Sequence, residues 1–307
     1  MTGETVPPTG AGAPGVALVS VVIPVHNREH LVEGAVRSVL AQTHLKTEVL
    51  VVDDGSTDGT LRVLQGLAEN EPRISILTHP ASRGAQAARN TGILASSGQW
   101  VTFLDSDDRY FPDSVALRLL EAERSSVAVV HGEARRVTAG AIDALYGAPA
   151  LRGQIYQQLL AQPAVLFPSL LVRREVLAEI GYLDETIVAW QEWETAIRLS
   201  RIAEFGFVPV ATFDYDERTP GAISRDSRRA ARGYEQIVRK HRRAILRECG
   251  PRVLGNHYRT LAGLRRSAAD RSGTLRCGIL SALWWPPNIV WGLRATRALL
   301  RERESSR

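Results

Sequence analysis

Three features of the chain predict an α/β fold with a mostly parallel sheet and helices on both of its faces. Short β-branched runs and segments of helical period alternate four times between residues 18 and 104. The runs are apolar along their whole length, as expected of strands covered on both faces. The links between them are short, which leaves room for crossover helices and little else.

Residues 18–24 (LVSVVIP) form the first expected strand, and Leu31, Val32, Ala35, Val36, Val39 and Leu40 then recur at helical spacing. Residues 48–52 are the second strand, followed by a helix marked by Leu61, Leu64, Leu67 and Ala68. Residues 74–78 (ISILT) are the third strand, and the Ala-rich stretch 84–96 is the third helix. The fourth strand, 100–104 (WVTFL), runs directly into the acidic DSDD at 105–108. Beyond residue 113 the alternation loosens. Short strands are expected at 127–131, 169–173 and 205–210, with helices at 174–180 and 191–201. From residue 225 the pattern is helical and basic, then apolar and Trp-rich at 283–293 (LWWPPNIVWGL). The expected organisation is a flexible leader over 1–17, an α/β domain over 18–224 and a basic helical C-terminal extension over 225–307.

With 307 residues, 44% hydrophobic and 23% charged, the chain has the composition of a globular protein with a sizeable core. Its net charge of +5 conceals an asymmetry: residues 225–307 hold 20 Lys+Arg against 6 Asp+Glu, and the preceding residues 18 against 27. No recognition motif or base-stacking array accompanies the arginines, so nucleic acid is not an expected partner. Two readings of the extension remain: contact with a membrane surface, or a helical cover packed on the α/β domain. The uncharged stretch 277–293 carries Trp284, Trp285 and Trp291 around a Pro286-Pro287 break, with arginines on either side. Such a break argues against a spanning helix, while the composition suits a membrane interface. Cys249 and Cys277 lie far apart in no metal-type spacing and read as free thiols of a reducing cytoplasm. The N-terminal MTGETVPPTGAGAPG lacks the basic and apolar regions of a signal peptide. The expected location is therefore cytoplasmic, with peripheral contact at the inner face of the cell membrane.

The chemistry is concentrated at strand ends. In VVDDGSTDGT, residues 51–60, the adjacent carboxylates Asp53 and Asp54 follow an apolar strand and precede a turn and a helix. Open α/β sheets bind ligands at such carboxyl ends. One of the pair, Asp54, is expected to cap the turn, leaving Asp53 for a ligand. A dinucleotide-binding dehydrogenase would need a Gly-rich turn after the first strand, where this chain has Pro24-Val25-His26-Asn27. A phosphoaspartyl enzyme would need a lysine near its acids, but Lys46 and Lys240 follow no late sheet strand. Transfer from a nucleoside diphosphate-sugar needs a base or ribose acceptor, a divalent cation on the diphosphate, and a general base. The Asp105/Asp107 pair supplies hard oxygen ligands suited to Mg²⁺ or Mn²⁺.

The succession VVIPVHNR, EVLVVDDGSTDGT, RGAQAARNTGILASSGQWVTFLDSDD and SLLVRREVLAEIGYLDETIVAWQEWE resembles the family 2 inverting glycosyltransferases. The likeness runs over about residues 18–201. It implies a GT-A fold, with a Rossmann-like sheet, and a metal-dependent transfer of sugar to an acceptor hydroxyl. By that resemblance Pro24, His26 and Asn27 border the nucleotide base, and Asp53 hydrogen-bonds the base or ribose. Arg83 and Arg89 lie near the nucleotide, Asp105 approaches ribose and metal, and Asp107 ligates the metal. The family's Glu-Asp-Trp-Asp segment reads Gln191-Glu192-Trp193-Glu194 here, which makes Glu192 the implied base and Glu194 the alternative.

The implied partners are a nucleoside diphosphate-sugar, UDP-sugars favoured, and a saccharide or lipid-linked acceptor. The setting implied is bacterial surface-polysaccharide, glycolipid or glycosylated-metabolite synthesis. The altered QEWE segment also admits a non-catalytic nucleotide-sugar or polyanion binder, and sugar transfer to a lipid phosphate is a rival within enzymes. His26, His79 and His131 lack companions at metal-ligand spacing. The loop DERTPGAISRD, with Arg218 and Arg225, is a candidate cover for a diphosphate.

Overall fold

In the computed structural model residues 17–138, 141–216 and 226–289 are described. The first half follows the predicted alternation: β1 (Val19–Val25), α1 (Val32–Leu40), β2 (Thr47–Asp53), α2 (Thr60–Ala68), β3 (Ile74–Thr78), α3 (Ala85–Ala95) and β4 (Trp100–Phe103). These four strands pair in parallel, in the order β3-β2-β1-β4. β1 is buried along its whole length, and its side chains alternate between two cores. Val19, Val21, Ile23 and Val25 face α1, while Val22 faces the opposite core with Ile93 of α3.

The second half adds β5 (Arg109–Tyr110), α4 (Ser114–Ser125), β6 (Val129–Thr138), β7 (Ala141–Leu145), α5 (Tyr156–Ala161), β8 (Leu171–Arg173), α6 (Arg174–Glu179), α7 (Gln191–Leu199) and β9 (Phe205–Asp216). Here β8 runs antiparallel to both β4 and β6, β7 antiparallel to β6, and β5 antiparallel to β9. Only β6 and β9 pair in parallel in this half, so the nine-stranded sheet is mixed. Only two residues separate β6 from β7, too few for the crossover that parallel neighbours need, so that pair is antiparallel.

The basic extension forms α8 (Ser227–Glu248), α9 (Gly250–Ser267) and α10 (Arg271–Trp284), then a 3₁₀ turn over Pro286–Asn288. Asp226 caps α8 by accepting from the backbone N–H groups of Arg228 and Arg229. α8 and α9 are a cover in the literal sense. Tyr234, Ile237, Val238 and Ile245 of α8 and Leu254 and Leu261 of α9 join the core that holds α5 and α7. At its centre Trp193 of α7 is fully buried, donates from its indole N–H to the Leu159 carbonyl at 2.6 Å, and packs on Tyr234 and His257. No helix among the described residues is long and apolar enough to cross a membrane. Cys249 and Cys277 are both free, as the sequence suggested. Trp291 and the candidate cover loop with Arg218 and Arg225 lie outside the described residues.

This packing predicts that the α/β portion does not stand alone. Ending the chain at residue 225 strips six large buried side chains from the core, each worth about 1.5–3 kcal/mol of burial. The sum, roughly 10 kcal/mol or more, matches the whole stability of an ordinary domain. The shortened chain should show no cooperative thermal transition by circular dichroism. A sharp transition at the full-length temperature would mean the extension contributes nothing to the fold.

Candidate active site

The strand order creates the site. The chain leaves β1 for β2 and β3 on one side and returns to β4 on the other, so the crossovers diverge and leave a crevice at the carboxyl ends. Pro24 helps to open it. The Val22 carbonyl accepts from Leu104 N–H, so residue 24, two positions on, also faces β4. Proline has no N–H to continue that ladder, and the β1–β4 pairing ends at Val22 and Phe103. Beyond it, exposed His26 and Asn27 form the rim, with Asn27 in the left-handed region at φ 52°. Asn27 is held there by donating its N–H to Ser56 Oγ at 2.9 Å and accepting Thr57 N–H on its amide oxygen at 2.8 Å.

The two adjacent carboxylates point to different tasks. Asp53 Oδ1 accepts the Ser56 N–H at 3.1 Å, so Asp53, not Asp54, caps the local turn. Its second oxygen accepts no hydrogen bond among the described residues. Asp54 reaches instead to the segment before α3. It accepts from His79 Nδ1 at 2.7 Å, Ser82 Oγ at 2.7 Å, Arg83 N at 2.9 Å and Gly84 N at 2.8 Å. Burial works to raise the Asp54 pKa, but these donors together overcome it and leave the carboxyl below its ordinary value. Asp54 thereby ties the ends of β2 and β3 to the start of α3.

Arg83, next to that anchor, is exposed and reaches toward Glu185, at 3.5 Å. Arg89, one turn into α3, is buried. It donates to Asp105 Oδ1 at 2.5 Å, Gln86 Oε1 at 3.0 Å and Gln191 Oε1 at 3.4 Å, with its guanidinium 4.1 Å from the centre of the Phe167 ring. Arg89 therefore links the acidic turn after β4 to the first residue of α7. The acidic turn is braced from below by Tyr110, whose hydroxyl donates to the Phe103 carbonyl at 2.6 Å. Asp105 and Asp107 both keep some exposed surface, as cation ligands must. No group of three or more His, Cys, Asp or Glu side chains converges among the described residues. Two carboxylates on one turn fit a hard divalent cation whose remaining ligands are phosphate oxygens or water.

On α7, two carboxylates two residues apart are treated oppositely. Glu194 is fully buried and faces the extension, where it meets Lys240 Nζ at 2.6 Å and Arg198 Nε at 3.0 Å, with His241 at 3.4 Å. Burial alone would raise its pKa, but the contacts with His241 and the charges of Arg198 and Lys240 hold it below the ordinary value. Glu192 keeps an exposed edge while its carboxyl sits in a desolvated place. Burial pushes its pKa up to about 7, with Asp105 adding to the rise and Arg89 opposing it. The preceding Trp190 stands in the left-handed region at φ 59°, a strained backbone for a large residue. α8 holds it, since its indole N–H donates to the Ala230 carbonyl at 3.0 Å and its ring packs edge-on against Tyr234.

The structure thus connects Arg89, Asp105 and Gln191, with Glu192 next in the chain, and places Pro24, His26, Asn27 and Asp53 on the neighbouring strand ends. The sequence reading missed the anchor role of Asp54, the bridging Gln191 and the Asn90 link. Asn90 donates to the Leu183 carbonyl and accepts Leu183 N–H, both at 2.9 Å, joining α3 to the segment before α7. A buried polar residue mid-helix in RGAQAARN was the available signal for that last contact.

The raised Glu192 pKa has a consequence for stability. Below the unfolded value near 4.5 both states are protonated and nothing is lost. As pH climbs from there to about 7, folding disfavours the charged form, so stability falls, and above 7 the loss is complete. Glu192→Gln should therefore stabilise the protein at pH 8, by up to about 3 kcal/mol, and change little at pH 4. Denaturant titrations at the two pH values measure this, and an equal effect at both would contradict the assignment.

Residues 20–177 match the family described as Glycosyl transferase family 2. Among curated relatives, a UDP-Glc:alpha-D-GlcNAc-diphosphoundecaprenol beta-1,3-glucosyltransferase of Escherichia coli, WfgD, is 33% identical over 133 residues, covering 43% of this chain and 51% of that protein. TuaG of Bacillus subtilis, a putative teichuronic acid biosynthesis glycosyltransferase, is 40% identical over 102 residues, covering 33% of this chain and 40% of that one. The chain thus spans about half or less of the length of these relatives. Among solved structures, TarS 1-349 of S. aureus with UDP-GlcNAc superposes with a TM-score of 0.67 at 16% identity, over 85% of this chain and 79% of that one. The mannosyltransferase PcManGT of Pyrobaculum calidifontis, with GDP-Man and Mn²⁺, gives 0.59 at 21% identity, over 91% and 84%. The architecture is the GT-A fold shared with these neighbours. With half of its length inside the family's span and an acid-lined crevice at the sheet's switch point, the chain belongs to glycosyl transferase family 2.

Proposed function

We propose that this chain transfers a sugar from a nucleoside diphosphate-sugar to an acceptor hydroxyl, with inversion at the anomeric carbon. The observation that supports it most is the carboxyl of Glu192, raised to about 7, on a helix whose first residue, Gln191, is held by Arg89 to Asp105 in the acidic turn after β4. A general base works best when its pKa lies near the working pH. In this reading Asp53 receives the base or ribose of the donor on its unoccupied oxygen, beside Pro24, His26 and Asn27. Asp105 and Asp107 would hold Mg²⁺ or Mn²⁺, which when bound offsets charge on the diphosphate. Arg89 keeps Asp105 oriented, and Arg83 stands at the rim.

Glu192 accepts the proton of the acceptor hydroxyl as its oxygen forms the bond to the anomeric carbon. The bond from that carbon to the diphosphate oxygen breaks on the opposite face, and the nucleoside diphosphate leaves with the electron pair. Glu194, fully buried and paired with Arg198 and Lys240, is less suited to this role in the present reading. UDP-sugars are the favoured donors, in line with the UDP-Glc of the Escherichia coli relative's name and the UDP-GlcNAc of the TarS complex. The diphosphoundecaprenol in that relative's name supports a lipid-linked saccharide as acceptor. A cytoplasmic enzyme at the inner face of the cell membrane would meet both.

Assays with a panel of nucleoside diphosphate-sugars and Mn²⁺ test this directly. Glu192→Gln should lower transfer roughly 10²–10⁴-fold and leave donor affinity nearly unchanged. The wild-type rate should rise with pH through about 7, because only the deprotonated carboxyl accepts a proton. A flat profile between pH 5 and 9 would remove Glu192 from the chemistry. Asp53→Ala should weaken nucleotide binding by about 10–150-fold, the equivalent of one charged hydrogen bond, as read by calorimetry. Unchanged nucleotide affinity would confine Asp53 to the turn it caps.

A further inference from the structure

α10 is built inside out. Its buried face consists of the small or polar residues Thr274, Cys277 and Ser281, packed on α9, where the Ser281 hydroxyl donates to the Gly255 carbonyl at 2.8 Å. The close approach requires Gly255, since a Cβ there would fall 2.7 Å from Trp285 Cβ. Three of its large apolar residues point outward, while Trp284 packs partly against the core. Leu275, Ile279 and Leu283 are 51%, 53% and 72% exposed, and Ile289, beyond the 3₁₀ turn, is 56% exposed. The spacing of four places the first three on a single face. Core formation drives large apolar side chains inward, so this face answers to something outside the fold.

The surrounding charge says what. Arg271 and Arg276 are exposed and flank the stripe on its two sides, given about 100° of rotation per residue. Arg242 lies over the Trp284 ring at 5.2 Å and Arg252 over Trp285 at 5.7 Å. Residues 271–289 contain no Asp or Glu at all, and residues 290–307 add five Arg against two Glu. A second copy docking the same face on itself would set these arginines against one another with no carboxylate between them. An anionic surface meets both the apolar stripe and the cations. At 14 residues α10 is about 21 Å long, too short to cross a bilayer and suited to lie in its plane.

We propose that the outer face of α10 seats the protein on an anionic lipid surface, with Leu275, Ile279 and Leu283 among the acyl chains and the arginines at the headgroups. This deepens the membrane-face location proposed above and does not depend on Glu192 chemistry. Apolar insertion and charge attraction respond differently to salt, because only the second is screened.

The test is co-sedimentation of the full chain with vesicles of equal parts phosphatidylcholine and phosphatidylglycerol. Wild type should bind, high salt should weaken binding without abolishing it, and Ile279→Asp/Leu283→Asp should lower it at least about tenfold. Both positions are exposed, so the melting temperature and nucleotide affinity of the double variant should match wild type. Arg271→Gln/Arg276→Gln should weaken binding to these vesicles and leave the weak binding to pure phosphatidylcholine unchanged. Wild-type protein that ignores the vesicles, or a double variant that binds equally well, overturns the proposal. So does a wild-type dimer that Ile279→Asp/Leu283→Asp converts to monomer, since the stripe would then serve self-association. Lost vesicle binding with intact sugar transfer counts against this surface alone, and intact vesicle binding without nucleotide binding counts against the donor reading alone.

Discussion

The buried carboxylate of Glu194 sets how α7 sits, and most of the candidate site depends on α7. A lone buried charge would be costly, and an ion pair in a low-dielectric interior barely recovers its desolvation. Two cations around one carboxylate, Arg198 from α7 itself and Lys240 from α8, with the His241 ring beside them, change that balance and also specify orientation. Arg198 extends the hold by donating to the carbonyls of Ile180 and Tyr182, and Lys240 does so by pairing with Asp184. With Glu194 turned into the extension, helical rotation of about 100° per residue carries Glu192 about 200° away, toward Arg89 and Asp105. The same clamp explains why Trp190 can be held in a strained conformation. Its indole and ring are both engaged by α8.

The extension is therefore part of the site's foundation as well as a surface. Its inner helices supply the lysine, the histidine and the aromatic partners that fix the end of α7. Its outer helix turns Thr274, Cys277 and Ser281 inward and Leu275, Ile279 and Leu283 outward. One segment thus divides its work by layer, with α8 and α9 positioning the candidate catalytic face and α10 presenting a different one.

On the sheet side, adjacency of Asp53 and Asp54 looked like a repulsive arrangement. Successive side chains at a strand end leave on opposite sides, which separates them, and each finds its own donors. Asp54 collects four hydrogen bonds and becomes a structural post between β2, β3 and α3. Asp53 uses one oxygen on the turn, and its other accepts no hydrogen bond among the described residues. The expectation that Asp54 would cap the turn failed because a local turn and a distant loop compete for the same acid, and only the fold shows which loop is near.

The alternation of apolar runs and helical periods determined the first four strands, their parallel pairing and the placement of acids at strand ends. That information is local: strand burial on both faces leaves a continuous apolar run, and short links force crossovers. The antiparallel second half was less legible, since β5 has two residues and β8 three, too few for any period to register. At the candidate base, sequence left Glu192 and Glu194 as alternatives, because both are carboxylates at the start of one helix. Tertiary structure decided between their environments. Lys240 and His241 lie more than forty residues further along the chain, and only the packing of α8 on α7 brings the ammonium and the imidazole to Glu194 while leaving Glu192 desolvated near Arg89.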